Sequence, residues 1–221
     1  MKAIAVVSGG LDSVTLAYLL RAEGCDLHML FFDYGQRHRK ELDYAALCAR
    51  RLGAAHTVVD IGSLRPLLQG SALTDDVPVP DGHYAAPSMA ATVVPNRNAI
   101  MLSIAYAAAV SDGAERVAVG VHAGDHFIYP DCRPAFIGAF AEMERLATEG
   151  YAQDGLALYA PFLHMSKTDI VTTAARLGVP FAETWSCYKG GALHCGACGT
   201  CVERREAFHL AGIDDPTQYG E

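Results

Sequence analysis

The sequence lacks an apolar run long enough to cross a bilayer. The longest apolar stretch, near residues 100–110, is interrupted and is shorter than the roughly 20 residues that a membrane-spanning helix needs. Residues 1–7 contain one lysine and an apolar run too short for a signal peptide. We therefore expect a soluble, cytoplasmic protein without a membrane partner.

Basic residues are also scarce, since 17 Lys and Arg stand against 25 Asp and Glu and give a formal net charge of -8. A protein that holds a tRNA or a duplex normally presents a basic face, because phosphate contacts supply most of its affinity. A local basic patch is compatible with an acidic total, but the balance favours the absence of a nucleic-acid partner. With 51% hydrophobic residues, the 221-residue chain can build one large domain, with or without a small appendage.

Short apolar strands alternate with helices along most of the chain. We expect strands at 3–7, 26–32, 56–60, 117–120 and 156–159, and helices at about 14–24, 40–52, 99–110, 134–148 and 167–177. This alternation predicts an α/β fold, a doubly wound parallel sheet with helices on both faces. Ligands of such sheets bind at the carboxyl ends of the strands. The loops after Val7, Phe32 and Gly120 should therefore surround one crevice, and residues 61–95, which contain five prolines, should form a long loop, either a lid or a disordered segment.

A loop of small residues, Ser8-Gly9-Gly10-Leu11-Asp12-Ser13, connects the first strand to the first helix. The glycines let the backbone turn tightly, and the start of a helix offers free N–H groups and a positive dipole end. Ser8, Ser13 and Thr15 add hydroxyl groups, and Asp12 adds a carboxylate for a metal or for a helix cap. The pattern alone is equally compatible with an anion site and with an ordinary capped turn.

The loop 121–133 follows the fourth strand and is unusually rich in titratable and aromatic side chains. We interpret it as a substrate-recognition loop, in which Asp131 and Arg133 are polar anchors and Phe127 and Tyr129 are stacking surfaces. The alternative is a simple turn at 129–131 with Arg133 as a surface charge. The position of the loop at a strand end favours the first interpretation.

Two cations are predicted at helix starts, where they oppose the helix dipole. Arg97 is either solvated or faces an anion in the crevice, and the residues alone favour solvation. Lys167 follows Ser166, which with Asp169 predicts a capping box, and it fits an anion-binding role as well as a solvated one.

Seven cysteines in a chain without an export signal point to a metal or to catalysis rather than to disulfides. Four of them follow the pattern Cys187-x7-Cys195-x2-Cys198-x2-Cys201, which is typical of tetrahedral thiolate ligation. Zinc is favoured over an iron–sulfur cluster, because ferredoxin-like runs usually end in Cys-Pro and this one leads into a helix. His194 is adjacent, but four thiolates already fill the shell. The other three, Cys25, Cys48 and Cys132, are expected to be small buried hydrophobic residues.

The loop 8–13 resembles the pyrophosphate-binding loop of the N-type ATP pyrophosphatases, the PP-loop superfamily. Further segments, in order, resemble the 7-cyano-7-deazaguanine synthases, the QueC or ExsB family: Phe32-Asp33-Tyr34-Gly35-Gln36-Arg37-His38, Pro78-Val79-Pro80-Asp81, Val94-Pro95-Asn96-Arg97-Asn98, Gly120-Val121, Tyr129-Pro130-Asp131-Cys132-Arg133, and Thr184-Trp185-Ser186-Cys187-Tyr188 with the cysteine tail. The resemblance extends from residue 6 to about residue 209. Asn96 is one departure, since glycine is expected there and a positive φ is less easy for asparagine.

This resemblance implies an adenine nucleotide alpha hydrolase-like ATP-binding domain at 1–183 and a four-cysteine zinc module at 184–221. It implies an ATP-dependent ligase that converts 7-carboxy-7-deazaguanine and ammonia into 7-cyano-7-deazaguanine, with ATP, Mg²⁺ and Zn²⁺ as cofactors and a homodimer as a further expectation. The alternatives are a tRNA thiolase, a nucleotide-binding regulatory module stabilised by zinc, and an amide-forming 7-deazaguanine ligase.

The resemblance also implies residue roles. The catalytic residues are Asp12, Ser13, Arg97 and Lys167. The nucleotide is held by Val7, Ser8, Gly9, Gly10, Leu11, Asp12, Ser13, Val14, Thr15, Leu16 and Ala17. The substrate is bound by Tyr34, Arg97, Phe127, Asp131 and Arg133. The zinc ligands are Cys187, Cys195, Cys198 and Cys201.

Overall fold

Five strands of mostly apolar residues form a parallel sheet in the computed structural model, which describes residues 1–220. They are β1 (Lys2–Val6), β2 (Asp26–Asp33), β3 (Ala55–Asp60), β4 (Arg116–Ala118) and β5 (Ala157–Tyr159), in the order β3-β2-β1-β4-β5. The chain builds outward from β1 in both directions, so the expected doubly wound α/β sheet is confirmed. The order reverses between β1 and β4, and this reversal opens a crevice at their carboxyl ends.

Six helices cover the sheet: α1 (Leu11–Ala22), α2 (Glu41–Leu52), α3 (Arg97–Asp112), α4 (Pro134–Ala147), α5 (Lys167–Arg176) and α6 (Gly199–Ala211). One buried cluster joins one face of the sheet to α1, α2, α5 and α6, and a second cluster joins the other face to α3 and α4. Gly53 and Gly113 end α2 and α3 in the left-handed conformation that glycine adopts without a steric penalty. No helix within residues 1–220 is both long and apolar enough to span a membrane.

The start of α3 depends on a left-handed asparagine. Asn96 precedes the helix with φ 56° and is the one non-glycine residue with positive φ among residues 1–220. Asparagine tolerates this region better than most residues with a side chain. The geometry that glycine would adopt most easily is therefore adopted here by asparagine, and Arg97 becomes the first residue of the helix.

The segment 61–95 contains two short 3₁₀ helices, Gly62–Leu67 and Pro87–Thr92, and no longer regular element, as its prolines predict. It packs on the cysteine-bearing tail. The Gly82 amide donates to the Ala197 carbonyl at 2.9 Å, and Asp81 pairs with Lys189 at 2.6 Å. The segment is a packed loop that the tail holds in place.

The tail is fastened to the body through Arg204, a fully buried residue of α6. Its guanidinium donates to the Thr184 hydroxyl at 2.7 Å, to the Phe181 carbonyl at 3.1 Å and to both oxygens of Asp215 at 3.2 Å. Phe208 of the same helix lies in the cluster shared with α1 and α5. The division of the chain between residues 183 and 184 stays a prediction.

Candidate active site

A cavity of about 200 Å³ lies at the carboxyl ends of β1, β2 and β4. Its walls come from the loops after these three strands, from the start of α3 and from Tyr188 in the tail. The predicted meeting of the three loops in one crevice is thus observed. The residues that line it include Val7, Ser8, Gly10, Asp12, Ser13, Phe32, Tyr34, Glu41, Arg97, Gly120, Asp125, Tyr129 and Tyr188.

The loop after β1 is shaped by backbone contacts that only glycine permits. Gly9 has φ 88°, and a Cβ placed on it would lie 2.2 Å from the Glu41 carbonyl oxygen. Gly10 precedes α1, and no side chain caps that helix, so the alternative of a simple capped turn is not observed. The Ser13 hydroxyl accepts from the Ser8 amide and donates to the Gly10 carbonyl, both at 3.1 Å. The free N–H groups of α1 therefore face an anion-sized space.

Part of the predicted nucleotide-binding stretch, residues 7–17, lies behind the cavity lining. Thr15 is fully buried and its hydroxyl donates to the Leu11 carbonyl at 2.7 Å, so the expectation of a free hydroxyl donor at this position is wrong. The neighbouring residues Leu11, Val14, Leu16 and Ala17 are buried in the core under α1. They support the loop through packing.

Asp12 lies at the centre of a buried charged network. Its Oδ2 atom accepts from the Lys167 ammonium at 2.6 Å, and the His122 imidazole lies 3.8 Å away. Burial alone would raise the pKa of Asp12, but Lys167 and His122 hold it below the ordinary value. Burial alone would lower the pKa of Lys167, and Asp12 with Glu203 raises it instead. Both groups are therefore charged at neutral pH.

The second oxygen of Asp12, Oδ1, is buried and has no hydrogen-bond partner among residues 1–220. An unpartnered buried carboxylate oxygen is costly unless a ligand satisfies it. Mg²⁺ prefers carboxylate oxygens and is usually bound by one or two of them together with phosphates. The donor atom fits this ion.

Arg97 forms the opposite wall of the cavity. Its guanidinium donates to the Tyr34 hydroxyl at 3.2 Å, and no carboxylate among the described residues lies within ion-pairing distance of it. Beside the guanidinium, the hydroxyl groups of Tyr129 and Tyr188 form a hydrogen bond with each other at 3.3 Å. Burial raises the pKa of Tyr34 to about 12, so its hydroxyl stays protonated. The residues alone favour a solvated Arg97. This prediction is wrong, since the side chain lines the crevice as a cation without an anionic partner.

Three residues of the predicted substrate loop lie outside the lining of this cavity. Phe127 is 73% exposed. Arg133 is exposed and donates to the His126 carbonyl at 2.9 Å. Asp131 accepts from the Asn98 amide at 2.9 Å and thereby supports the start of α3. Their contact with a substrate stays a prediction, and the members of this loop that line the cavity are Val121, Asp125, Tyr129 and Cys132.

Sequence reasoning missed several residues of the site. Tyr188 follows the first cysteine, and its wall position depends on how the tail returns to the sheet. His122, Asp125 and Glu203 meet Lys167 and Asp12 only in the folded chain. Spacing gives no signal for Glu203, because 36 residues separate it from Lys167 along the chain.

The four cysteines of the tail converge as their spacing predicts. The sulfur atoms of Cys187, Cys195, Cys198 and Cys201 all lie within 4.8 Å of one another. His194 is not part of this set, because its Nε2 atom accepts from the Ser186 amide at 3.0 Å and its ring packs on Trp185. Burial lowers the pKa of His194 to about 4, which keeps the ring neutral. Cys25, Cys48 and Cys132 are buried apart from the cluster, as expected.

The chain is similar to known proteins in sequence and in structure. Residues 2–212 match the sequence model of the family described as queuosine biosynthesis protein QueC. The chain is 65% identical to the 7-cyano-7-deazaguanine synthase of Rhizobium rhizogenes over 219 residues, which are 99% of this chain and 92% of that protein. It is 64% identical to the enzyme of the same name from Paracoccus denitrificans over 219 residues, 99% of this chain and 93% of the relative.

Among solved structures, NMN synthetase from Francisella tularensis has a similar backbone. The TM-score is 0.54 at 16% identity, with 96% of this chain and 77% of the other covered. At this identity the likeness concerns the α/β fold alone.

Proposed function

The chain belongs to the QueC family of queuosine biosynthesis proteins, and from this premise we propose that it is an ATP-dependent ligase that converts 7-carboxy-7-deazaguanine and ammonia into 7-cyano-7-deazaguanine. One observation carries the proposal at the level of the site. A single cavity is lined on one side by the loop 7–13 and on the other by Arg97, a cation without an anionic partner among the described residues. A phosphate chain and a carboxylate can therefore be held next to each other.

The reaction needs such an arrangement. A carboxylate is a poor electrophile, so one of its oxygens must first become a leaving group through transfer to a phosphorus atom of ATP. Ammonia then attacks the acyl carbon and gives the amide. The amide oxygen is activated in the same way, and its loss with both nitrogen protons leaves the nitrile. One nucleotide site beside one substrate site serves both rounds.

The loop after β1 holds the triphosphate in this proposal. The free N–H groups at the start of α1 and the hydroxyls of Ser8 and Ser13 donate to phosphate oxygens. Asp12 holds Mg²⁺ through Oδ1, and the ion when bound neutralises charge on the phosphate oxygens. Lys167, at 2.6 Å from Asp12, stabilises the charge that develops on the transferred phosphorus.

Arg97 binds the carboxylate of the substrate, and Tyr34 fixes its guanidinium by accepting a hydrogen bond from it. The Tyr129 and Tyr188 hydroxyls complete the polar wall. Asp131 contributes indirectly by supporting the start of α3, which carries Arg97. Binding of the substrate by Phe127, Asp131 and Arg133 stays a prediction.

The tail, residues 184–221, is proposed as a zinc module. Four convergent thiolates fill a tetrahedral shell and leave no position for a catalytic water, so the role of the zinc ion is structural. The acidic charge balance supports free small molecules as substrates in the cytoplasm and the absence of a nucleic-acid partner. Assembly as a homodimer stays an expectation.

The decisive experiment incubates the protein with 7-carboxy-7-deazaguanine, ATP, Mg²⁺ and ammonium and analyses the products by mass. We expect the nitrile, with the amide as an earlier product, and neither without ammonium. The formation of neither product would refute the function.

A matched variant tests the role of Arg97 in the same assay. Arg97→Gln should raise the KM for the carboxylate substrate about 10–100-fold, because the substrate loses one hydrogen bond from a charged group. The KM for ATP should stay nearly unchanged. Equal effects on both substrates would contradict the assignment of Arg97 to the substrate carboxylate.

A further inference from the structure

Glu203 of α6 is a buried carboxylate that the proposed reaction does not use. It follows the metal-ligand candidate Cys201 by two residues, and it is 8% exposed. Its side chain extends away from the cysteine cluster and contacts the charged network around Asp12. A Cβ placed on Gly124 would lie 2.9 Å from its Oε1 atom, so the approach depends on a glycine.

The contacts of Glu203 are directed at the side chains that surround Asp12. Its Oε2 atom lies 3.4 Å from the Lys167 ammonium, and its Oε1 atom lies 3.9 Å from Nε2 of His122. The Nδ1 atom of His122 accepts from the Gly124 amide at 3.1 Å, which leaves Nε2 facing Lys167 and the carboxylates. Lys167 is thus shared between Glu203 and Asp12.

This sharing affects the availability of Asp12. A lysine paired to Asp12 alone would compete with Mg²⁺ for that carboxylate and would be withheld from a phosphate. A second buried carboxylate draws the ammonium partly away and fixes it between the two acids. Because Arg204, the next residue, is clamped by Asp215 and Thr184, the backbone that carries Glu203 is held in one position.

We propose that Glu203 is a positioning residue for the ATP site: it holds Lys167 beside Asp12 and thereby connects the cysteine-bearing tail to the phosphate loop. The tail then contributes to nucleotide binding as well as to the fold. The proposal rests on the proposed function only in taking Asp12 and Lys167 as parts of the ATP site.

The test measures ATP binding by titration calorimetry at several Mg²⁺ concentrations, without the carboxylate substrate. Glu203→Gln keeps the size of the side chain and removes its charge. We expect the Kd for ATP and the Mg²⁺ concentration for half-maximal binding to rise about tenfold. The KM for 7-carboxy-7-deazaguanine should stay within about twofold, because Arg97 and Tyr34 do not contact this network.

A double-mutant cycle separates positioning from general damage. If Glu203 acts through Lys167, then Glu203→Gln should have no further effect on the Kd for ATP in a Lys167→Met background. The same loss in both backgrounds, or unchanged ATP binding in the single variant, would overturn the proposal. Glu206→Gln, on the exposed side of the same helix, is the matched control and should leave the Kd unchanged.

Stability and metal content are measured beside binding. Glu203→Asp keeps the charge and shortens the side chain, so it should weaken ATP binding to an intermediate degree even if the glutamine variant folds poorly. All variants should retain the metal content of the unaltered protein. Failure of nitrile formation together with an intact Glu203–Lys167 coupling would refute the proposed reaction and leave this inference standing.

Discussion

Asp12 shows at the scale of single residues how one carboxylate divides its two oxygens. Oδ2 accepts from Lys167 at 2.6 Å, and Oδ1 is buried without a partner among residues 1–220. A phosphate-bound cation would satisfy the second oxygen. In the proposed function, one oxygen therefore holds Lys167 and the other is available to the cation of the nucleotide.

Replacement of Asp12 by asparagine tests this division. Asp12→Asn keeps the volume, removes the charge and leaves Lys167 without its nearest carboxylate. We expect kcat/KM for ATP to fall about 100-fold or more, the usual cost of losing one group that stabilises transition-state charge. ATP consumption is the measurement, and an unchanged thermal midpoint shows that the fold persists. A fall of less than about threefold would contradict a role of Asp12 in ATP binding.

Asn96 provides a prediction about stability. Its φ of 56° is left-handed, where a β-branched side chain is strained. Asn96→Val should destabilise the protein by about 1–2 kcal/mol, and Asn96→Gly should change its stability by less than about 1 kcal/mol. Urea unfolding measures both values. Equal stability of the two variants would contradict the left-handed geometry at the start of α3.

At the scale of elements, the buried ion pair of Arg204 with Asp215 fixes α6 in place. Burial alone would raise the pKa of Asp215, but the Arg204 guanidinium and a hydrogen bond from Tyr219 hold it below the ordinary value of 3.8. A carboxyl group whose pKa is lowered by folding stabilises the native state above its unfolded pKa. That stabilisation is lost as the pH falls through the folded pKa.

Replacement of Asp215 should lower the stability of the protein by an amount that depends on pH. Asp215→Asn leaves a buried guanidinium unpaired and should lower the free energy of unfolding by about 3–5 kcal/mol at pH 7. The difference in the free energy of unfolding between this variant and the unaltered protein should be full above about pH 4. It should shrink below pH 3.8, where Asp215 of the unfolded chain becomes protonated, and vanish below its lower folded pKa. Urea unfolding at several pH values measures it. A difference that stays constant down to pH 2 would exclude Asp215 as the source.

At the scale of the whole molecule, the tail connects three regions that lie far apart in the sequence. It packs against the segment 61–95, it supplies Tyr188 to the cavity wall, and through α6 it carries Glu203 to Lys167. We therefore expect the cysteine cluster to stabilise the part of the fold that forms this wall of the cavity.

Removal of the metal tests this dependence. The purified protein should be colourless and contain one zinc ion per chain, measured by atomic absorption. Stripping the ion with a chelator should speed hydrogen exchange in residues 61–95 and in the tail, and weaken ATP binding, while the sheet stays protected. A brown protein with visible absorbance would contradict zinc. Exchange that is unchanged after complete removal would contradict a structural role.

Local patterns in the sequence determined much of this protein. The apolar strands, the Ser166–Asp169 capping box and the cysteine spacing depend on neighbours a few residues away, and all are found as predicted. The loop 8–13 and the crevice at the strand ends also follow from local pattern and sheet geometry. These features need no knowledge of distant contacts.

Only the tertiary structure decided which charged side chains face the cavity. Arg97 and Arg133 both lie at the start of a helix, yet Arg97 lines the cavity from the first turn of α3, whereas Arg133 is exposed just before α4. Glu203 meets Lys167 because α6 packs against α5, a contact between segments that are separated in the chain. Side-chain direction and long-range pairing come from packing, and so the composition of the site could be completed only in the folded chain.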